Sequence, residues 1–339
     1  MKRDRSWRFL TLVLASAGYA LAATNAAGEP RVVATIKPVH ALVAGVMESI
    51  GKPVLLIEGA GSPHAYAMRP SDARALSEAE LIVWVGPEFE TFLVKPLEAF
   101  APEAGRLTLA DITDLVLLPA RRGGAWATET EGGAAAGSPG PLPSPAQDVA
   151  RTGPEGNGRP PSGEPARDLH IWLDPLNARQ IVRAVATALT ALDPANADAY
   201  RGNAGVLEAR LKALDEELDR ELAGVRSVAY VVFHDAYRYF EHRYGMNVVA
   251  AVTVSPDQPP GARRVREVRR KLREVQARCV FHEPQFRPRL IRTLVEGMGA
   301  AIGVLDPLGA KLTPGPDLYF TLMRSLAANL KRCLSAREP

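Results

Sequence analysis

Short apolar runs alternate with segments of helical periodicity along most of the chain. The first half holds three such runs, each followed by a helix-compatible segment: Arg31 to Ile36, Val54 to Ile57 and Leu81 to Val85. The alternation recurs near the end with four more: Val228 to Phe233, Val248 to Val252, Cys279 to Phe281 and Ala301 to Leu305. Strands alternating with helices are typical of parallel sheets with crossover helices. The pattern therefore predicts an α/β protein with two lobes.

A long amphipathic helix is predicted between the lobes. Asp193 and Pro194 supply an N-cap and a first-turn proline. Apolar positions then recur at steps of three and four, the spacing of one helix face: Tyr200, Ala204, Leu207, Leu211, Leu214, Leu218 and Leu222. From Pro194 to Leu222 the helix would measure roughly 43 Å, enough to reach from one lobe to the other. The predicted domains are thus an N-terminal lobe over residues 30–192, a linking helix over 193–223 and a C-terminal lobe over 224–339.

The segment from Arg121 to Asp168 differs in composition from both lobes. It holds 10 Gly and 8 Pro in 48 residues, with scattered charges and almost no large apolar side chains. Such a segment buries too little surface to offset the entropy of ordering it. We therefore predict a disordered surface loop here, and it contains no histidine.

The start of the chain has the pattern of a secretory signal. Lys2, Arg3, Arg5 and Arg8 precede an apolar stretch from Phe9 to Ala22, which ends in Ala20-Leu21-Ala22. Those features predict a signal peptide over residues 1–22 and an exported protein, because 14 apolar residues are too few to span a bilayer as a helix. The segment carries four basic residues and one acidic residue, so its removal takes the formal net charge from +3 to 0. Nothing in this balance points to nucleic acid.

The two cysteines, Cys279 and Cys333, both lie late in the chain. In an oxidising compartment they are a plausible disulfide tying the last helix to a strand. The loop that this bond closes would contribute roughly 4 kcal/mol in the chain-entropy model. The alternative is two free, buried thiols. A zinc role is disfavoured because neither cysteine belongs to a C-x-x-C pair.

Three of the six histidines stand where an apolar run meets a turn. They are His64, His170 and His234, and their positions are compatible with the carboxyl ends of strands, where open α/β sheets bind ligands. Neutral imidazole suits Zn(II), and three imidazoles that leave one position for a carboxylate or water form a common zinc site. The three are far apart in sequence, so tertiary folding must bring them together.

Six ordered motifs around these histidines resemble one protein family. It is the cluster A-I (cluster 9) solute-binding proteins of ABC transporters, and within it the zinc-binding members of high-affinity zinc uptake systems. The motifs span nearly the whole chain after residue 22: Thr35 to Pro38, Gly61 to Asp72, His170 to Pro175, Phe233 to Tyr237, Glu283 to Pro288 and Leu305 to Gly309.

The resemblance implies two Rossmann-like lobes joined by one rigid helix, with the metal held in the cleft between them. His64 and His170 would come from the first lobe and His234 from the second. Because manganese-binding members usually carry a carboxylate at the position of His234, the resemblance favours zinc. It also implies a disulfide between Cys279 and Cys333. The expected protein is a periplasmic monomer that captures Zn(II) and delivers it to an inner-membrane ABC permease.

The fourth metal position is the least determined part of the predicted site. Some zinc members place a glutamate just before the first histidine, where this chain has Pro63. Asp306 matches a carboxylate that ligates metal in manganese relatives, and we include it among the predicted ligands. His282 is a possible additional ligand. Asp306 could instead be a turn residue or an acceptor that fixes an imidazole tautomer.

Two other functions remain compatible with the sequence. One is a manganese-binding transporter component. The other is an exported zinc-dependent enzyme, since three imidazoles and a water also form a hydrolytic zinc site. No H-E-x-x-H or G-x-S-x-G signature accompanies the histidines. The sequence therefore favours metal delivery over catalysis.

Overall fold

A computed structural model describes residues 29–59, 61–121, 166–253, 260–286 and 289–336. The predicted signal peptide and all but the ends of the predicted loop over 121–168 lie outside these residues. The first sheet contains four parallel strands in the order β2-β1-β3-β4. They are β1 (Val32–Ala34), β2 (Val54–Leu55), β3 (Leu81–Trp84) and β4 (Gly105–Thr108).

The second sheet repeats this arrangement with the order β6-β5-β7-β8, again all parallel. Its strands are β5 (Tyr230–His234), β6 (Val248–Thr253), β7 (Cys279–His282) and β8 (Ala301–Val304). Each predicted strand is present within one or two residues, which confirms the α/β fold. The prediction missed β4, whose sequence Gly-Arg-Leu-Thr has one large apolar residue and is partly exposed.

Nine helices lie within the described residues. They are α1 (Lys37–Val46), α2 (Pro70–Glu78), α3 (Val94–Phe100), α4 (Pro175–Leu192), α5 (Ala197–Leu222), α6 (Arg238–Tyr244), α7 (Ala262–Glu274), α8 (Arg289–Val295) and α9 (Leu318–Leu334). The start of α4 shows how the sequence sets a boundary. The Asp174 side chain accepts a hydrogen bond from the Leu176 backbone N–H, and Pro175 occupies the first helical position.

The predicted linking helix is α5, and its apolar stripe is buried at all seven positions. Its start differs from the prediction. A 3₁₀ turn at Pro194–Asn196 comes first, and the α-helix begins at Ala197. Asp193 therefore precedes the turn, where its carboxylate accepts hydrogen bonds from the Asn196 amide at 2.7 Å and the Tyr200 hydroxyl at 2.9 Å. The 26 residues of α5 span about 39 Å.

One continuous apolar core extends from the inner face of the first sheet to that of the second. Helix α9 packs against α1 and α5 as well as against β8, although it follows the second sheet in the chain. A disulfide between Cys279 in β7 and Cys333 in α9 fastens this helix to the second sheet, as predicted. One smaller apolar cluster packs on the outer side of each sheet. Within the described residues, no helix has the length and apolar character needed to cross a membrane.

Candidate metal centre

Three histidines meet in the cleft between the sheets. His64 lies in a turn after β2, His170 immediately precedes a 3₁₀ turn that leads into α4, and His234 is the last residue of β5. One ring nitrogen from each lies within 4.8 Å of the others. This is the only such group of histidine, cysteine or carboxylate side chains among the described residues. The fold therefore brings together three of the predicted site residues.

Aromatic side chains pack against two of the three imidazoles. The Phe89 ring packs edge-on against His64 and His170, with ring centroids 4.8 and 5.4 Å apart. The Trp172 ring stands 5.4 Å from that of His170. The partly open cavity that these rings help to line measures only about 10 Å³, space for one ion or water rather than for an organic ligand.

Asp168 fixes the orientation of His170. Its Oδ1 lies 2.9 Å from His170 Nδ1 and also accepts the His170 backbone N–H at 2.9 Å. A carboxylate on Nδ1 places the proton there and leaves Nε2 free for a metal. The prediction that the loop extends to Asp168 is thus wrong at this end, because the Asp168 side chain is only 4% exposed and supports the site.

Glu283 lies against His234 in the second lobe, as an ion-pair contact without hydrogen-bond geometry. Its Oε1 lies 3.3 Å from His234 Nδ1, and both side chains are 4% exposed. Burial alone would lower the pKa of His234, but the nearby carboxylates of Glu283, Asp235 and Asp168, with Glu283 the largest contributor, together raise it. The pKa of His64 is instead lowered to about 2, by burial first and then by repulsion from His170 and His234. His64 is therefore neutral and ready to bind a cation.

Asp306 and His282 stand apart from this group. The Asp306 carboxylate accepts the backbone N–H groups of residues 308, 309 and 310 at 3.1, 3.0 and 2.7 Å, and Gln285 Nε2 at 3.0 Å. It therefore holds the turn after β8. The His282 Nδ1 lies 3.3 Å from the Glu283 carbonyl oxygen. The geometry gives neither residue a direct place beside the three imidazoles.

A buried ion pair next to His234 was not predicted from the sequence. Arg121 contacts the Asp235 carboxylate at 2.9 Å and that of Glu241 at 2.6 Å. The predicted loop is therefore also wrong at its other end, where Arg121 is ordered and its side chain 17% exposed. Asp168 and Asp235 lie within two residues of a histidine ligand candidate, and this proximity was the available signal.

Two further histidines lie away from the site. His40 is buried in α1, where its Nε2 lies 3.0 Å from the Pro53 carbonyl oxygen. His242 is exposed on α6.

Comparison with known families explains this arrangement. The family model ZnuA, zinc-uptake complex component A, periplasmic, matches residues 32–333. The chain belongs to this family. The High-affinity zinc uptake system protein ZnuA of Brucella suis is 42% identical over 96% of this chain and 98% of its own length. The Yersinia pestis protein of the same name is 33% identical, over 89% and 91% of the two chains.

Solved structures share the ZnuA fold. A crystal structure of ZnuA is similar with a TM-score of 0.70 at 22% identity, over 89% of this chain and 98% of that one. FpvC of Pseudomonas aeruginosa, solved with Mn²⁺, gives a TM-score of 0.71 at 19% identity, over 91% and 99%. At these identities the likeness establishes the two-lobed fold of the ZnuA chain and nothing finer.

Proposed function

We propose that this ZnuA chain captures one Zn(II) between its lobes through His64, His170 and His234. The observation that carries the proposal is the convergence of three imidazoles in one small cavity. The Asp168 carboxylate is hydrogen-bonded to His170 Nδ1, an arrangement that orients the ring and strengthens its bond to a metal. The buried Glu283 carboxylate lies 3.3 Å from His234 Nδ1. Asp168 and Glu283 also supply two negative charges, which balance those of a divalent cation.

Zinc fits the donor set better than manganese. Three nitrogen donors suit Zn(II), whereas Mn(II) prefers carboxylate and other oxygen ligands. Asp306, the predicted oxygen ligand, is committed to the backbone of its own turn. We propose that a water completes the coordination. The names of the relatives from Brucella suis and Yersinia pestis, which are high-affinity zinc uptake proteins, support the same metal.

Zinc transport is favoured over zinc catalysis by family membership. ZnuA is a component of a zinc-uptake complex, so the alternative of an exported zinc enzyme is wrong. The finer details are part of the proposal. The chain is exported through its N-terminal signal, acts in the periplasm as a monomer and passes zinc to the permease of an ABC importer.

Native mass spectrometry of the chain without residues 1–22 tests the metal proposal. The protein would be offered zinc, manganese, copper and nickel together, and we expect one zinc per chain. His170→Ala should abolish that mass shift, whereas His242→Ala, which changes an exposed histidine of α6, should retain it. Preferential manganese loading would show that the metal assignment is wrong. Delivery is tested separately by capture of the zinc-loaded protein on its permease in membrane vesicles.

A further inference from the structure

Two short segments form an antiparallel neck at the base of the 122–165 segment. The Ala120 N–H donates to the Ala166 carbonyl at 2.6 Å, and the Asp168 N–H donates to the Leu118 carbonyl at 2.8 Å. We call residues 118–121 and 166–168 the neck. It belongs to the first lobe, because Val116, just before it, exchanges two hydrogen bonds with Asn177 of α4 at 2.9 and 3.0 Å.

The neck is fastened across the cleft to the second lobe. The Tyr239 hydroxyl of α6 donates to the Asp168 carbonyl at 2.7 Å and accepts the Leu118 N–H at 3.0 Å. Arg121 adds a forked ion pair to Asp235 and Glu241, whose side chains are 5% and 3% exposed. Each of these contacts joins the chain of one lobe to that of the other.

We propose that Arg121 is a positioning residue that sets how long a bound metal is retained. The inference rests on the proposed function, since it concerns the rate at which the histidine site releases zinc. Arg121 acts as a strut between the two lobes. On the second lobe it pairs with Asp235, which directly follows His234. On the first lobe it belongs to the neck, whose Asp168 holds His170. If the neck separates from α6, His170 and His234 move apart and the site loses its geometry.

The direction in which the zinc release rate changes distinguishes a positioning role of Arg121 from a purely electrostatic one. Removing the guanidinium takes a positive charge away from the neighbourhood of a bound cation, which by Coulomb's law favours retention. Unpaired Asp235 and Glu241 carboxylates would act in the same direction. A faster release from the variant therefore reports lost geometry, because lost charge predicts slower release.

The decisive measurement is zinc release from Arg121→Met, followed by stopped-flow mixing with excess chelator. The matched control is Arg243→Met. Arg243 also forms a forked pair, with Asp215, but this pair joins α6 to α5 and does not cross the cleft. Loss of a residue that supports a metal ligand typically costs about 10- to 100-fold in metal affinity. We expect release from Arg121→Met to accelerate roughly tenfold or more, with association unchanged and Arg243→Met close to wild type.

A second variant tests the proposal in case Arg121→Met folds poorly. Tyr239→Phe removes one hydroxyl and two cross-lobe hydrogen bonds, and we expect a smaller acceleration in the same direction. Unchanged or slower release from the folded Arg121→Met protein would overturn the strut, as would equal acceleration in Arg243→Met. If Arg121→Met does not fold, unchanged release from Tyr239→Phe overturns it. Failure of the wild-type protein to bind zinc would instead refute the proposed function.

Discussion

The two lobes share one strand order but present their histidines differently. The first sheet runs β2-β1-β3-β4 and the second β6-β5-β7-β8. In the first lobe, His64 and His170 lie outside the strands, whereas His234 is part of β5 in the second. A strand fixes the backbone of its ligand, while a loop ligand needs its neighbours to hold it. The same topology thus supports the two sides of the cleft by different means.

The supports also differ within the first lobe. His170 has the buried Asp168 carboxylate. The His64 imidazole lies instead against three other rings, those of Phe89, His170 and His234. That environment lowers the pKa of His64 to about 2, whereas Glu283 raises the pKa of His234 in the second lobe. One imidazole is therefore kept neutral by burial and by its neighbouring rings, and another lies against a carboxylate that favours its charged form. Mutations should separate these two kinds of support.

Removal of any of the three imidazoles should have the largest effect. We expect His64→Ala, His170→Ala and His234→Ala each to weaken zinc by more than the roughly 10- to 100-fold that loss of a ligand's hydrogen-bond partner causes. Chelator competition measures the affinity, with His242→Ala as the control. Near wild-type affinity in any two of the three variants would place the site elsewhere.

Removal of a supporting carboxylate should come next. Asp168→Asn and Glu283→Gln keep the side-chain shape but lose the negative charge on His170 or His234, so we expect each to weaken zinc about 10- to 100-fold. Asp193→Asn is the matched control, because Asp193 is a buried carboxylate bonded to Asn196 and Tyr200, away from the imidazoles. An effect of similar size in the control would show that general destabilisation is responsible.

The pH dependence should reveal the asymmetry between His64 and His234. The pKa of His234 is raised, so zinc must displace a proton from this ring at acidic pH. Zinc affinity should reach its full value above the raised pKa of His234. Below that pKa it should fall about tenfold per pH unit, because one proton must leave the ring for each zinc bound. Titration calorimetry in buffers of different ionisation enthalpy measures the protons released.

Glu283→Gln should move this transition to lower pH, because the carboxylate that raises the pKa of His234 is gone. His64 should contribute no proton near neutral pH, since its pKa is lowered to about 2. A transition that stays in place in Glu283→Gln would contradict the assigned cause of the shift.

The sequence predicted the strands and the three histidines because both have local signals. Buried parallel strands are continuous apolar runs, and β4 was missed because its Gly-Arg-Leu-Thr lacks one. The supports have no local signal. Asp168 closes a segment whose composition resembles a loop, and its pairing with the imidazole depends on the antiparallel neck. Glu283 meets His234 only because β7 lies beside β5.

Asp306 remains a predicted ligand, although its carboxylate already has other partners in the structure. A carboxylate at this strand end could reach a metal, but here its oxygens accept three backbone N–H groups and Gln285. Asp306→Asn should therefore cost roughly 1–3 kcal/mol of stability and weaken zinc less than tenfold. Thermal unfolding and chelator competition measure the two effects, with His282→Ala as a neighbouring control. A loss of affinity as large as that of a histidine variant would make Asp306 a ligand.

The smallest effect is expected from the segment between the two halves of the neck. Replacing residues 122–165 with a short Gly/Ser linker removes a stretch without histidine and keeps Arg121, Asp168 and the hydrogen bonds between residues 118–120 and 166–168. A shorter connection changes loop-closure entropy only slowly with length. Zinc affinity and melting temperature should therefore stay close to wild type. Extending the same replacement to residues 121–168 removes the side chains of Arg121 and Asp168 and should weaken zinc as much as Asp168→Asn does. Equal affinity in the two replacements would show that the neck does not support the metal centre.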